Sequence, residues 1–136
     1  MSEISGGSCE CGAFRYAVEG EPRTVVVCHC SHCQHQSGSA FGMSMVIAAG
    51  QFRVLSGVLQ HFSRPADSGA TMNCYFCPQC GTRIYHQKEG NDATIILKPG
   101  TLDSTAAISP ARQLWTSAKQ HWISLPDMPA FERQPG

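Results

Sequence analysis

Eight cysteines in a chain of 136 residues set the strongest constraint on what this sequence can fold into, because seven of them fall in short, regularly spaced motifs. They read Cys9-Glu10-Cys11, then Cys28-His29-Cys30-Ser31-His32-Cys33, then Cys77-Pro78-Gln79-Cys80-Gly81, with Cys74 just ahead of the last pair. Such a set serves either as a disulfide framework or as metal ligands. Disulfide frameworks belong to small exported domains, and the opening Met1-Ser2-Glu3-Ile4-Ser5-Gly6-Gly7-Ser8 has neither the basic start nor the apolar stretch of an export signal. Cysteines separated by one residue also rarely meet disulfide geometry without strain. The expectation is a cytoplasmic chain whose thiols bind metal.

The seven thiols divide into four and three. Four close a tetrahedral zinc site, while three leave a position for water or substrate, which separates a structural from a catalytic zinc. An internal echo assigns the four. Cys9-Glu10-Cys11-Gly12 runs into Ala13-Phe14-Arg15-Tyr16, and Cys77-Pro78-Gln79-Cys80-Gly81 runs into Thr82-Arg83-Ile84-Tyr85. Each is a thiolate turn, a glycine suited to positive φ, and a strand carrying a tyrosine. Two such arms facing each other make a zinc-ribbon site, so Cys9, Cys11, Cys77 and Cys80 are read as one structural zinc. In extended chain, residues i and i+2 share a side, so Cys28 and Cys30 can grip one ion and a tight turn can bring Cys33 to it. These three are read as the open, catalytic zinc. Cys74, His29, His32 or His35 could instead fill its fourth position and turn it into a second structural site, and Cys74 could shift the pairing of the last motif.

The rest of the chain reads as mainly β. Short apolar runs bounded by Gly, Pro, Ser or Asp predict strands at 13–18, 24–27, 43–47, 52–55, 58–62, 83–86 and 94–97. Phe14-Arg15-Tyr16-Ala17-Val18 and Val58-Leu59-Gln60-His61-Phe62 alternate, placing every second residue toward a core. A short helix is expected from Ser31 to Gly38, and the Pro-rich tail after Leu125 as an extended strip on the surface. At this length, residues 1–136 are expected to form a single domain. Ten Lys and Arg balance ten Asp and Glu, which leaves no broad basic field for nucleic acid. No apolar run reaches the length of a membrane helix.

Candidates for handling a proton are His29, His32 and His35, and for binding a peptide-like substrate Gln34, Ser37 and Ser39. Arg53, Arg64, Arg83 and Arg112 are each able to meet a carboxylate, and Trp115 and Trp122 read as core residues.

The order CxCG, CHCxxC and FCPxCGT, with Ser37-Gly38-Ser39-Ala40-Phe41-Gly42 between, resembles the glutathione-dependent formaldehyde-activating enzyme family, whose domain is shared with centromere protein V. Gly100-Thr101-Leu102-Asp103, Leu114-Trp115 and Phe131-Glu132 resemble the later signature of the same family, so the resemblance spans nearly the whole chain. It implies small twisted antiparallel sheets around a zinc-ribbon centre, with a structural zinc on Cys9, Cys11, Cys77 and Cys80. It implies a catalytic zinc on Cys28, Cys30 and Cys33, and the joining of formaldehyde to the glutathione thiol, a carbon–sulfur lyase class reaction. Cys74 lies outside the usual seven thiols of the family. The alternatives are an enzyme of the same fold for another thiol or aldehyde, and a non-catalytic module with both zinc sites closed.

Overall fold

The computed structural model describes residues 3–66 and 68–134. The strands are β1 (Glu3–Ser8), β2 (Arg15–Glu19), β3 (Thr24–Cys28), β4 (Gly42–Ala48), β5 (Phe52–Ser56), β6 (Gln60–Pro65), β7 (Thr71–Phe76), β8 (Arg83–Lys88), β9 (Thr94–Leu97) and β10 (Arg112–Leu114); one helix, α1 (Ser31–Ser37), follows β3. They form a three-stranded sheet, β1-β2-β5, and a seven-stranded sheet, β10-β3-β4-β9-β8-β7-β6. All the pairings are antiparallel except that of β10 with β3. The mainly β reading therefore holds, with one parallel pair added.

Alternation along the strands explains how the sheets stack and where the cavity forms. On β4, Met45 and Ile47 are buried, and they join Val25 of β3 and Ile95 and Leu97 of β9 in one core cluster. The smaller sheet covers this face with Tyr16 and Val18 of β2, both fully buried. Phe14 enters the same core, as the alternation of 14–18 predicts. An aromatic row ties the layers: Tyr16 stacks on Phe52 at 5.1 Å, Phe52 meets Tyr85 edge-on at 5.2 Å, and Tyr85 stacks on Tyr75 at 4.5 Å.

The residues between, Thr24 and Val26 on β3, Ser44 and Val46 on β4 and Ile96 on β9, point to the opposite face and line a cavity. A register shift between Tyr75 and Phe76 lets β8 serve both faces. Tyr85 pairs with Leu97 on the core side and His86 with Ile96 on the cavity side, while Ile84, the extra residue of the bulge, is also in the core.

The second predicted alternation fails. The strand runs over Gln60–Pro65 rather than 58–62 and lies at the edge of the large sheet, where Val58 is 76% and Phe62 43% exposed. With no sheet packed over it, the period-2 pattern has no core to face. The tail runs as extended chain only in part, over 129–131, after a turn at 126–128. It lies along β10, with Gln113 N–H donating to Pro129 O at 2.9 Å and Phe131 N–H donating to Gln113 O at 3.0 Å.

Candidate metal centres

Two clusters of thiols gather, one at each predicted place. The first sits between hairpin tips. Cys9 and Cys11 cap the β1–β2 connection and Cys77 and Cys80 the β7–β8 connection, and the two turns repeat each other's hydrogen bonds. Gly12 N–H donates to Cys9 O and Gly81 N–H to Cys77 O, while Cys9 N–H reaches Phe14 O and Cys77 N–H reaches Thr82 O. Gly12 and Gly81 have φ of 81° and 82°, the left-handed conformation the turn demands. The four sulfurs lie within 4.8 Å of one another, with Cys9 to Cys11 at 3.6 Å and Cys11 to Cys77 at 3.9 Å. A zinc tetrahedron with bonds of about 2.3 Å has edges of about 3.8 Å, so the donor set fits that ion. Thr82 braces it: its hydroxyl lies 3.2 Å from Cys80 Sγ and, with its amide, holds that thiol down to about 6.

The second cluster is built where β3 meets α1. Cys28 is the last residue of the strand, and Cys30 caps the helix, its Sγ accepting from Cys33 N–H at 3.4 Å. Alternation puts Cys28 and Cys30 on one side, as the sequence predicts, and turns His29, a candidate fourth ligand, inward, where it is fully buried. Gly42, paired with Cys28, lets Cys33 pack closely, for a Cβ there would lie 3.1 Å from Cys33 Cβ. The three sulfurs lie within 4.8 Å of one another. They share protons: hydrogen bonds from Cys28 and Cys33 hold the Cys30 thiol far below its ordinary range, and bonds with Cys28 and Cys30 push Cys33 up. A metal ion would release all three thiols to the thiolate form.

Among the described residues, none of the four candidate plugs belongs to this triad. Cys74 is on the cavity side of β7, four strand positions from β3, about 19 Å at the usual spacing. It is fully buried beside Phe62 and His86. His29 is spent elsewhere. Gln113 Nε2 donates to Leu125 O and Met128 O, leaving Gln113 Oε1 to accept from His29 Nε2–H at 3.0 Å. The buried Nδ1 of His29 has no hydrogen-bond partner among the described residues. His35 Nδ1 bonds Ser31 O at 2.8 Å, back along its own helix, and His32 is exposed.

The triad opens on the cavity, which has a volume of about 310 Å³. Arg64, Lys98, Arg112 and His86 line it, and among the described residues no Asp or Glu does. Lys98 is largely buried, its Nζ donating to Met43 O at 3.3 Å, and burial lowers its pKa. Burial, then the Lys98 and Arg83 charges, push His86 down to about 2. Its Nε2 lone pair accepts from Arg83 Nη1 at 2.9 Å.

The other candidates sort cleanly. Of the four arginines, Arg64 and Arg112 face the cavity; Arg53 is exposed near Glu19, and Arg83 lines an adjoining depression. Gln34 is structural, its Nε2 donating to His29 O and Ala118 O, and Ser37 Oγ donates to Phe41 O. Ser39 is exposed away from the triad. Neither tryptophan is a core residue, which corrects the reading: Trp122 is 67% exposed and Trp115 lines the cavity. Lys98, His86 and Gln36 also line it and went unrecognised in the sequence, although the parity of Ile96 on β9 points to Lys98.

Comparison with known proteins bears on these two clusters directly. No curated protein matches the chain. A crystal structure of a Rhodobacter sphaeroides protein matches with a TM-score of 0.57 and 22% identity, covering 77% of this chain and 91% of that one, a likeness of fold. A family model described as glutathione-dependent formaldehyde-activating enzyme matches residues 4–118, a span that contains all eight cysteines and both clusters. The chain belongs to the glutathione-dependent formaldehyde-activating enzyme family.

Proposed function

We propose that this chain is a single-domain, cytoplasmic carbon–sulfur lyase that condenses formaldehyde with glutathione to give S-(hydroxymethyl)glutathione. It carries two zinc ions, a structural one on Cys9, Cys11, Cys77 and Cys80 and a catalytic one on Cys28, Cys30 and Cys33. The observation that carries the reading is a cavity that opens on three thiols and is walled by Arg64, Lys98 and Arg112, with no acidic side chain among the described residues that line it. That is a site for a thiol that bears carboxylates, as glutathione does.

Zinc at the triad would hold a fourth sulfur as thiolate at neutral pH. The chain's own residues do the rest. Arg64 and Arg112 meet the carboxylates of the thiol compound and aim its sulfur at the triad. The reaction forms one carbon–sulfur bond; the carbonyl π pair moves to oxygen, and the alkoxide takes a proton. The substrate thiol has given its own proton to solvent on binding. Lys98, an ammonium group on the cavity wall, supplies the proton to the alkoxide and regains one from water.

The test is the rate of S-(hydroxymethyl)glutathione formation by zinc-loaded protein, with the uncatalysed rate subtracted and zinc-free protein as control. A zinc-dependent rate well above background is expected, and a rate equal to the protein-free reaction would contradict the proposal.

A further inference from the structure

Trp115 has φ 58° and ψ 43°, and it is the one non-glycine residue with positive φ among those described. A bulky residue takes this conformation only where its surroundings impose it, and such positions gather at ligand sites. What surrounds Trp115 is the tail. Before it in sequence, Gln113 exchanges backbone bonds with Pro129 and Phe131. After it, Thr116 N–H and Oγ1 donate to Phe131 O at 3.0 and 3.2 Å, and Ser117 Oγ donates to Glu132 O at 2.7 Å. The tail thus clamps the chain on both sides of Trp115. It also reaches the cavity wall: the Arg112 guanidinium lies over the Phe131 ring, 5.8 Å from its centroid, and Gln134 lines the cavity together with Trp115 and Arg112. The family model matches residues 4–118, so the tail lies outside the matched residues, though Phe131-Glu132 resembles the later signature of the family.

We propose that the tail, residues 129–134, is the specificity element of the three-cysteine site. It positions Arg112 through Phe131, and Trp115 through Thr116 and Ser117, so that the cavity selects thiols that carry a carboxylate. This rests on the reading of the triad as a thiol site. Phe131 is a positioning residue: its ring gives the guanidinium a fixed rest over the cavity, and Arg112 makes the contact with the ligand.

The test measures binding and turnover separately. In a Trp122→Phe background of the zinc-loaded full chain, Trp115 fluorescence reports the dissociation constants of glutathione and of 2-mercaptoethanol. Phe131→Ala is expected to weaken glutathione about ten-fold and leave 2-mercaptoethanol within two-fold, with Phe131→Tyr restoring the original ratio. Equal weakening of both thiols, no change in either, or a parent protein that does not prefer glutathione would each overturn the proposal. Formaldehyde turnover by the parent is scored independently. Selective binding without turnover leaves the tail proposal standing and removes the lyase; turnover with unaltered selectivity in Phe131→Ala does the reverse.

Discussion

Single substitutions separate the roles of the two thiol clusters. Cys80→Ser removes one ligand from a four-sulfur set between two hairpin tips, and since structural zinc contributes folding free energy outright, the loss should reach several kcal/mol in denaturant titration. Cys30→Ser should keep the far-UV circular dichroism and the first zinc but lose turnover; equal loss of fold in both would count against the division. Lys98→Met should lower kcat by about a hundred-fold, the usual scale for one proton-transfer group, while leaving the melting temperature unchanged or higher, because a buried ammonium is costly. His86 carries a pH dependence. Its folded pKa, about 2, lies below the unfolded value near 6.5, so unfolding takes up a proton in acid. The stabilisation it reflects is present above about pH 6.5 and falls by about 1.4 kcal/mol per unit as the pH drops toward the folded value. Stability measured from pH 7 to 5 should therefore fall more steeply in the parent than in His86→Gln. Much of the residue-level site was legible. Ligand spacing and i, i+2 alternation placed all seven clustered thiols, whereas His29, read as a possible fourth ligand, turns away from them onto Gln113. Lys98, His86 and Gln36 went unread, and Arg64 and Arg112 stood undistinguished among four arginines, because their meeting depends on which strands become neighbours across the large sheet.

At the scale of elements, periodicity read the strands well where a second layer covers them. It read 14–18 correctly because β2 is sandwiched between β1 and β5 over the core. It misread 58–62 because β6 is an edge strand with no second sheet covering it, so Phe62 stays 43% exposed. β7 and β10 left no clear mark. Thr71-Met72-Asn73-Cys74-Tyr75-Phe76 mixes polar and apolar residues because its two faces meet an arginine-lined cavity and an aromatic row, and three residues of β10 are too few for a pattern. The junction of β4 with α1 offers a test of element packing. Gly42→Ala would set a Cβ 3.1 Å from Cys33 Cβ in a fixed strand pairing. It should cost about 1–2 kcal/mol, the usual penalty of overpacking, and weaken zinc at the triad with the four-cysteine site intact, as competition with a chromogenic chelator would measure.

Taken whole, the molecule is two sheets joined by their hairpin tips. The β1–β2 tip supplies Cys9 and Cys11 and the β7–β8 tip supplies Cys77 and Cys80, so an ion there links the small sheet to the large one. The other cluster lies against the opposite face of the large sheet, on the cavity, and is not needed for that link. The proposed division of labour has a topological basis: one cluster lies between layers and the other at a surface with room for a ligand. Metal and ligand together therefore test the account best. X-ray absorption and zinc analysis on the purified chain, with and without glutathione, should give two zinc ions per chain, one bound by four sulfurs throughout and one by three that becomes four when glutathione is added. Two zinc sites already closed by four protein ligands and unchanged by glutathione would contradict it.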